Sequence, residues 1–292
     1  MKFSLLIVNY NTETYIEKLL CSLRDQSIPI SDYEIIISNN VKSDKLEKMI
    51  VTNGFYDTFN LTILKMPDNL GFGRGMNAAA DLATAEHLLI INPDVLLTDQ
   101  SYLSSMHNFI LENPHYGVIS SQILNDNGRD SCDHYSYQFS EKFEFDSGIS
   151  WIEGSLMFVR TNVFTNINGF DPDFFMYCED VDLCYRIRKK GLELIKNNTL
   201  SVYHKGGSSE PYKDYEFYHR WYKSQILFMH KHYNKEQFEE FIKKLSKKFK
   251  MKKSRYRVLG IFSKSYKHKV LKTQVMLDIV GKTINESAGW LY

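Results

Sequence analysis

The stretch KFSLLIVNYN, residues 2–11, decides the fold class, because it is an apolar run that ends in turn-forming polar residues. Such a run is typical of a buried parallel strand whose carboxyl end opens into a site. The segment TETYIEKLLCSLRDQ that follows, residues 12–26, spaces its apolar side chains along one face of a helix. YEIIISNN, residues 33–40, is then a second strand. This order of strand, helix and strand predicts the first unit of a parallel sheet.

The same alternation continues to about residue 95. The next predicted elements are, in order, a helix over residues 43–52, the strand LTILKM at 61–66, the Gly-rich turn NLGFGRG at 69–75, the helix MNAAADLATA at 76–85 and the strand HLLIINPDV at 87–95. Because helices connect successive strands, we expect an α/β domain with a mostly parallel central sheet flanked by helices. Ligands on such sheets bind beyond the carboxyl ends of the strands.

The chain becomes less regular after residue 100. A helix closed by Pro114 and the strand YGVISSQIL at 116–124 precede a polar segment, 125–148, which we predict to be a mobile loop. SLMFVRTNVF at 155–164 resumes strand character. After LSVYHKGGSS, residues 200–209, helical segments rich in aromatic residues and lysine replace the alternation.

The charge of the chain is unevenly distributed, although the net charge is only +1. Residues 231–282 hold 16 Lys and Arg against four Asp and Glu, about +12, whereas residues 1–230 carry about −10. We therefore predict one domain at 1–210 and a basic helical C-terminal extension at 211–292. A solvated surface and attraction to an anionic membrane leaflet both explain such an extension. Nucleic acid explains it less well, because no recognition motif accompanies the charge.

The N-terminus and the cysteines indicate a cytoplasmic protein. The start of the chain lacks a small-residue cleavage site, and no segment approaches about 18 uninterrupted apolar residues, so we expect neither a signal peptide nor a membrane span. The four cysteines show neither a CxxC spacing nor the density of a disulfide scaffold, which favours reduced thiols.

Polar side chains follow three of the predicted strands at the point where each strand ends. They are Asn9-Tyr10-Asn11, Ser38-Asn39-Asn40 and Asn92-Pro93-Asp94. Polar residues at strand ends also form ordinary turns, but their recurrence at three successive strands favours a shared site.

Seven motifs together resemble family 2 glycosyltransferases in order and approximate spacing. They are SLLIVNYN, EIIISNN, NLGFGRGMNAAADLA, LLIINPDV, GSLMFVR, INGFDPDFFMYCEDVDLCYRIRKKG and VYHKGGSS. The resemblance covers roughly residues 2–210 and is strongest to the branch of bacterial rhamnosyltransferases of cell-surface polysaccharide assembly. It implies a GT-A fold (the nucleotide-diphospho-sugar transferase fold), a nucleotide-sugar donor, a divalent metal and inversion at the anomeric carbon.

The resemblance implies a metal site at Asp94 and His204. A hard divalent cation held by oxygen ligands neutralises the charge that a departing nucleoside diphosphate develops. Asp94 matches the final carboxylate of the family's metal motif, which reads Asn-Pro-Asp here, and Asn92 would contact the sugar or a metal-bound water. His204 matches a position that reaches the metal in several relatives, and its imidazole favours Mn²⁺ over Mg²⁺. A lone His is otherwise more often a satisfied surface or core residue.

The resemblance places the nucleobase pocket at Asn9, Tyr10, Asn11 and Asn39. Relatives commonly have Asp where this chain has Asn39. A carboxylate only accepts hydrogen bonds and so suits the N3–H of uracil or thymine, whereas a carboxamide can accept or donate. The expected donor is a dTDP- or UDP-sugar, and the carboxamide of Asn39 leaves cytosine and guanine open as bases.

The Gly-rich turn NLGFGRG resembles a dinucleotide fingerprint only superficially. Its glycines lack the fingerprint's spacing, and the turn follows the third strand instead of the first, which disfavours a nicotinamide-dependent enzyme. In the family this turn lines the donor cleft, so Asn69 and Arg74 are expected to contact base, ribose or phosphate.

The stretch FFMYCEDVDLCYRIRKKG, residues 174–191, holds three carboxylates near a helix start. At 100° per residue, Asp180 shares the apolar face, whereas Glu179, Asp182 and Arg186 share another, on which Asp182 and Arg186 form an i, i+4 pair at the helix surface or the cleft rim. The helix dipole would keep Asp180 ionised. In the family the second acid of the Glu-Asp pair is the base that deprotonates the acceptor. We therefore predict Asp180 as the catalytic base, with Glu179 as the next candidate.

Trp151, Glu153 and Gly154 match the place where relatives bind acceptor. The resulting hypothesis is a metal-dependent inverting glycosyltransferase at the inner face of the cell membrane, passing a sugar such as rhamnose to a lipid-linked or growing surface glycan. A catalytically silent nucleotide-sugar binding subunit of a glycan assembly complex is the alternative.

Overall fold

The computed structural model describes residues 1–135, 148–208, 210, 212–260, 264–286 and 288–292. These residues form two compact units. The first unit comprises residues 1–172 and 179–209, and the second comprises 173–178 and 210–292. The predicted boundary after residue 210 lies next to this division. That the short segment 173–178, which includes the aromatic residues before the three carboxylates, belongs to the second unit was not foreseen.

Ten strands and seven helices are described in the first unit. The strands are β1 (Phe3–Asn9), β2 (Tyr33–Asn39), β3 (Leu61–Lys65), β4 (His87–Ile91), β5 (Val95–Leu96), β6 (Tyr116–Leu124), β7 (Asp133–His134), β8 (Trp151–Ile152), β9 (Leu156–Arg160) and β10 (Glu193–His204). The helices are α1 (Glu13–Arg24), α2 (Lys45–Thr52), α3 (Phe55–Thr58), α4 (Phe72–Ala80), α5 (Tyr102–Glu112), α6 (Thr161–Asn166) and α7 (Glu179–Lys189).

Eight of these strands form one sheet in the order β3-β2-β1-β4-β9-β6-β10-β5. The half made by β1 to β4 is parallel, as the alternation predicts, and every residue of β1 and β2 is buried. β9 runs antiparallel to β4, with Leu156 opposite Ile91. Because of this reversal, the residues that precede β9 lie at the same edge as the carboxyl end of β4. That edge carries the candidate site.

The irregular half of the domain differs from the prediction in three places. The strand predicted over residues 155–164 ends with β9 at Arg160, and helix α6 (Thr161–Asn166) follows it. Part of the predicted loop is strand β7, which pairs with β8, and residues 136–147 of that loop lie outside the described residues. The twelve-residue strand β10 was predicted only at its end. Its middle is polar, and its register with β6 shifts between Asn197 and Ser201, so it lacks the apolar pattern of a buried strand.

The glycines of NLGFGRG serve close packing of α4. A Cβ atom on Gly75 would lie 2.8 Å from Cγ2 of Val8 in β1, and a Cβ on Gly73 would lie 3.0 Å from Cβ of Phe170. Gly71 precedes α4 with φ of 84°, a backbone conformation that glycine adopts readily. A helix can therefore approach the sheet here only because these side chains are missing.

The second unit is helical, which confirms the predicted basic helical extension. Its helices are α8 (Tyr215–His232), α9 (Lys235–Gly260) and α10 (Lys264–Asn285). Asp214 caps α8, its side chain accepting a hydrogen bond from the backbone N–H of Phe217 at 2.9 Å. In α9 one stripe is buried, namely Phe238, Ile242, Leu245 and Phe249. Across the described ranges, no helix is both long and apolar enough to span a bilayer.

Candidate active site

The turn Glu153-Gly154-Ser155, between β8 and β9, connects the predicted catalytic and metal residues. The backbone N–H of Gly154 donates to Oδ2 of Asp180 at 2.9 Å. The carbonyl of Ser155 accepts from the backbone N–H of Asn92 at 2.9 Å. Oε1 of Glu153 lies 3.3 Å from Nδ1 of His204. The antiparallel entry of β9 thus brings residues far apart in sequence to one turn, which we call the 153–155 turn.

Asp180 lies at the first turn of α7, as predicted, and is half-buried. Its second oxygen, Oδ1, accepts from the backbone N–H of Val181 at 2.8 Å. Burial raises the pKa of Asp180 to about 6, although the hydrogen bonds from Gly154 and Val181 lower it. The expectation that the helix dipole keeps Asp180 ionised left out desolvation, which is the largest effect on this pKa. A pKa near 6 still leaves the carboxylate ionised at neutral pH, in the range suited to a general base.

Gly154 has no room for a side chain. A Cβ atom there would lie 3.1 Å from Cβ of Asp180 and 3.4 Å from its Oδ2. The missing side chain lets the backbone reach the carboxylate. Gly154 was predicted to bind acceptor, and the structure places it as the group that holds Asp180.

Glu179 is buried, with 7% of its surface exposed, and its Oε2 has no hydrogen-bond partner among the described residues. Burial and then the neighbouring charge of Asp180 raise its pKa well above the ordinary value. The helical-wheel prediction placed Glu179 on the less buried face, and that was wrong. A neutral, buried acid is a poor proton acceptor at neutral pH, so this environment favours Asp180 over Glu179 as the base.

Asp182 and Arg186 form the predicted i, i+4 pair, with Nε of Arg186 2.7 Å from Oδ2 of Asp182. Asp182 is fully buried, so the pair is not a solvated pair on the helix surface. Arg186 also donates to the carbonyls of Ile167 and Gly169, each at 2.7 Å. The pair therefore anchors α7 to the preceding turn, which explains Asp182 without a catalytic role.

Asp94, His204 and Glu153 form a chain of charges in which Asp94 and His204 are buried and Glu153 is half-buried. Nε2 of His204 lies 3.2 Å from Oδ1 of Asp94, while the other oxygen of Asp94 accepts from Oγ of Ser208 at 2.7 Å. Burial disfavours the imidazolium, but the two carboxylates outweigh it and raise the pKa of His204 to about 9. Burial by itself would raise the pKa values of Asp94 and Glu153. The hydrogen bond and the charge of His204 outweigh burial, so both pKa values are lowered.

Asp94 and His204 fit the divalent cation that the resemblance implies. Oδ1 of Asp94 and Nε2 of His204 face the same point, and Glu153 on Nδ1 would hold the imidazole with Nε2 as the ligand once His204 is deprotonated. Within the described ranges no group of three or more His, Cys, Asp and Glu residues is arranged to hold a metal ion. Two protein donors leave coordination positions for phosphate oxygens and water, the arrangement that Mg²⁺ and Mn²⁺ accept. Asn92 lies beside this pair and is half-buried.

The amide orientations of Asn9 and Asn39 follow from one backbone donor. The backbone N–H of Thr12 donates to Oδ1 of Asn9 at 3.0 Å, so the Nδ2 of Asn9 must point the other way, where it donates to Oδ1 of Asn39 at 2.9 Å. The oxygen of Asn39 already accepts this one bond, and its Nδ2 makes only a 3.5 Å contact to the carbonyl of Ser43. Asn39 therefore offers a weakly engaged donor to a ligand.

Asn40 is a candidate residue that the sequence analysis missed. It is 4% exposed, and its Nδ2 donates to the carbonyl of Gly71 at 3.0 Å and to Oδ1 of Asn69 at 3.3 Å. A carbonyl only accepts, so the amide cannot be turned over, and its Oδ1 has no hydrogen-bond partner in the described part of the chain. The carbonyl of Gly71 and the side chain of Asn69 thus orient the amide of Asn40. The signal was present in the sequence, because Asn40 belongs to the strand-end group Ser38-Asn39-Asn40.

The other predicted donor contacts lie on the surface. Tyr10 is 38% exposed, which argues against a core plug, and Asn11 is exposed with φ of 55°. Arg74 is exposed and donates through Nε to the carbonyl of Pro172 at 2.8 Å. Lys205, which the sequence analysis missed, adds a cation beside His204, its Nζ 2.7 Å from the hydroxyl of Tyr15.

Trp151 has one ring face covered. Its indole stacks on His134 with centroids 3.7 Å apart and ring planes 13° from parallel. The contact joins β7 to β8. A sugar ring could therefore stack only on the other face of Trp151.

Comparisons with known proteins show the family and the fold of the chain. The chain matches the family model described as Glycosyl transferase family 2 over residues 4–182. It is 26% identical over 217 residues to rhamnosyltransferase WbbL of Escherichia coli K12, which covers 65% of this chain and 78% of WbbL. A local match of 39% over 62 residues joins it to the N-acetylglucosaminyl-diphospho-decaprenol L-rhamnosyltransferase of Mycobacterium tuberculosis, covering 21% of this chain and 20% of that protein.

Among solved structures, the mannosyltransferase PcManGT of Pyrobaculum calidifontis in complex with GDP-Man and Mn²⁺ matches with a TM-score of 0.64. The sequences are 12% identical, and the match covers 98% of this chain and 88% of PcManGT. At this identity the similarity establishes the fold alone, and it confirms the GT-A fold. The chain belongs to glycosyl transferase family 2, close to its rhamnosyltransferases. Its family and relatives indicate glycosyl transfer in glycan biosynthesis.

Proposed function

We propose that this protein is a metal-dependent inverting glycosyltransferase in which Asp180 is the base. The observation that carries the proposal is the 153–155 turn, which holds Asp180 through Gly154 and, through Glu153, the His204 that pairs with Asp94. The base and the proposed leaving-group site both contact this turn. We place the reacting carbon between them. The fold and family are consistent with this arrangement, and the roles of the individual residues are our proposal.

Asp180 acts on the acceptor. Its carboxylate accepts the proton of the acceptor hydroxyl as that oxygen bonds to the anomeric carbon, while the bond from this carbon to the β-phosphate oxygen breaks and the nucleoside diphosphate leaves. A divalent cation, when bound by Asp94 and His204, supplies positive charge for the leaving diphosphate. Lys205 lies next to His204 and adds a further cation for the phosphates.

The donor base is proposed to be thymine or uracil. Asn40 presents an unpaired, buried acceptor whose orientation Gly71 holds, and Asn39 presents a donor. Such a pair suits a base edge in which an imide N–H lies beside a carbonyl, as in uracil and thymine. Guanine and cytosine also place an N–H donor beside an acceptor, in guanine N1–H beside O6 and in cytosine the N4 amino group beside N3, so they are the bases from which uracil and thymine must be separated by experiment.

The acceptor is proposed to be a lipid-linked or growing surface glycan, and the sugar to be rhamnose. The names of WbbL and of the mycobacterial relative, which acts on a diphospho-decaprenol substrate, support both choices. Trp151, with one open ring face, is the proposed sugar platform. A cytoplasmic enzyme peripherally bound at the inner face of the membrane would meet such an acceptor.

A nucleotide panel tests the proposal. Thermal unfolding is measured with dTDP, UDP, GDP and CDP, each with and without Mn²⁺, and release of nucleoside diphosphate from the matching sugar donors is followed. We expect dTDP or UDP with Mn²⁺ to stabilise the protein most, and the matching donor to be turned over. Stabilisation without turnover on any glycan acceptor would instead support a silent nucleotide-sugar binding subunit. Preference for CDP or GDP would refute the proposed thymine or uracil base.

A further inference from the structure

A basic groove lies between the second half of α9 and the end of α10. Its volume is about 580 Å³. Three cations from α9 line it, namely Lys250, Lys253 and Arg257. The remaining lining residues are Ser246, Ser254, Leu277, Gly281, Ile284 and Asn285. No acidic residue is among them, so the groove combines positive charge with hydroxyl and amide groups.

The three cations are uncompensated within the described residues. Their spacing of three and four places them on one helix face, where like charges repel. No carboxylate of the described chain lies within ion-pair distance of Lys250, Lys253 or Arg257. The carbonyl end of α10 offsets at most about half an elementary charge. Gly281 leaves open space, because a Cβ there would have no atom within 4 Å. The groove therefore has both the charge and the room for an anion.

Exposed apolar side chains lie at the rim of the groove and on another stripe of α9. Ile284 on its rim is 57% exposed, and Met251 and Val258, which share a separate stripe of α9 with Arg255, are 67% and 59% exposed. Exposed apolar residues next to cations are typical of helices that lie on a membrane surface. A free phosphate ion would leave these side chains in water, whereas a phospholipid offers a phosphate and acyl chains together.

We propose that this groove binds the phosphate of an anionic phospholipid headgroup and so fixes the C-terminal unit to the membrane surface. The proposal makes the membrane attachment of the proposed function specific, because it assigns binding to one groove instead of to the charge of the whole extension. It does not depend on the catalytic roles given above. The groove is distinct from the sheet edge that carries the candidate active site.

The test compares two triple variants of the full chain. The first changes the groove cations, Lys250→Gln, Lys253→Gln and Arg257→Gln. The control changes Lys243→Gln, Lys247→Gln and Lys248→Gln, which are exposed, lie on the same helix, remove the same charge and do not line the groove. Binding is measured by cosedimentation with vesicles of phosphatidylcholine alone and of phosphatidylcholine with phosphatidylglycerol.

We expect wild type and control to bind the anionic vesicles and not the neutral ones. The groove variant should bind about a hundredfold more weakly than wild type, and at least about tenfold more weakly than the control. Equal losses in the two variants would show attraction to diffuse charge and overturn the proposal, as would unchanged binding in the groove variant.

Two further arms identify other ligands. If inorganic phosphate stabilises wild type but not the groove variant, and neither binds vesicles, the groove is a free-phosphate site and the lipid proposal is wrong. Groove-dependent binding of an RNA oligonucleotide without vesicle binding would overturn it in the same way. Nucleotide-induced stabilisation, measured on every variant, should not change, so that a failure of the proposed function is seen separately from a failure of the groove.

Discussion

The sheet edge of the first unit and the α9–α10 surface of the second unit carry charge in opposite ways. At the sheet edge, Asp94 and His204 are buried, Glu153 is half-buried and all three are paired, so each charge depends on its neighbours. On α9 the cations at 250, 253 and 257 have no ion-pair partner in the described part of the chain. Buried charges must be compensated because desolvation is costly, whereas exposed charges remain solvated and can attract a partner. Substitutions at the edge should therefore be severe and position-specific, and those on α9 mild for folding.

The largest expected effect is that of Asp180→Asn. We expect the rate of glycosyl transfer to fall about a thousandfold, because an amide cannot accept the acceptor's proton. The variant keeps one oxygen for the N–H of Gly154 but turns its NH2 group toward the N–H of Val181, so we expect a loss of about 1 kcal/mol in the free energy of unfolding while nucleotide-induced stabilisation is preserved. Steady-state kinetics together with thermal unfolding in the presence of nucleotide checks both statements. Near-normal turnover would refute the assignment of the base.

Asp94→Asn should reduce stability. It breaks a buried pair and leaves the imidazolium of His204 with Glu153 alone, at a cost of about 3 kcal/mol in the free energy of unfolding. The additional stabilisation by Mn²⁺ with nucleotide should also disappear. The control is Asp68→Asn, which removes the partner of Lys42 in an exposed pair and should leave the unfolding transition unchanged. Similar denaturation curves for the two variants would contradict the comparison made above.

Activity should show an acidic limb that reports on Asp180. The base must be deprotonated and its pKa is raised to about 6, so kcat/KM should rise with pH through about 6 and level off above it. Below that pH it should fall about tenfold per unit. Glu153 and Glu179 are the acids facing Asp180, and the limb is measured in wild type and in Glu179→Gln. Persistence of full activity at low pH would exclude a carboxylate base of this kind.

Glu179→Gln gives the smallest effect and the opposite sign. Replacing a buried, unpartnered acid with an amide should raise the free energy of unfolding by about 1 kcal/mol. Because the folded-state pKa of Glu179 lies above its ordinary value of 4.5, ionisation weakens the folded protein as pH rises, so the gain should appear at neutral pH and vanish in acid. Turnover should persist. Loss of activity equal to that of Asp180→Asn would make Glu179 the base.

Much of the fold was predictable because the parallel strands are short and mostly apolar. The helices between them space their apolar residues along one face. β9 and β10 were harder to predict. The direction of β9 depends on pairing with β4 and β6, and the polar middle of β10 hides its strand character. For the site, the strand-end asparagines and Asp94 could be selected from the sequence. Glu153 was also selected, as an acceptor-binding residue, but its pairing with His204 was not predicted, because the two residues meet only through the antiparallel strand.

The sequence by itself determined the family, the parallel half of the sheet, the basic helical extension and the small set of polar residues at strand ends. These depend on composition, on periodicity and on the order of motifs, which are local properties of the chain. Only the tertiary structure decided the protonation and the hydrogen-bond partners of each polar residue. Burial separates Glu179 from Asp180, the carbonyl of Gly71 orients Asn40, and the 153–155 turn joins the base to the metal ligands. Protonation and hydrogen-bond direction depend on neighbours distant in sequence, because desolvation and pairing are set by the surroundings that folding assembles.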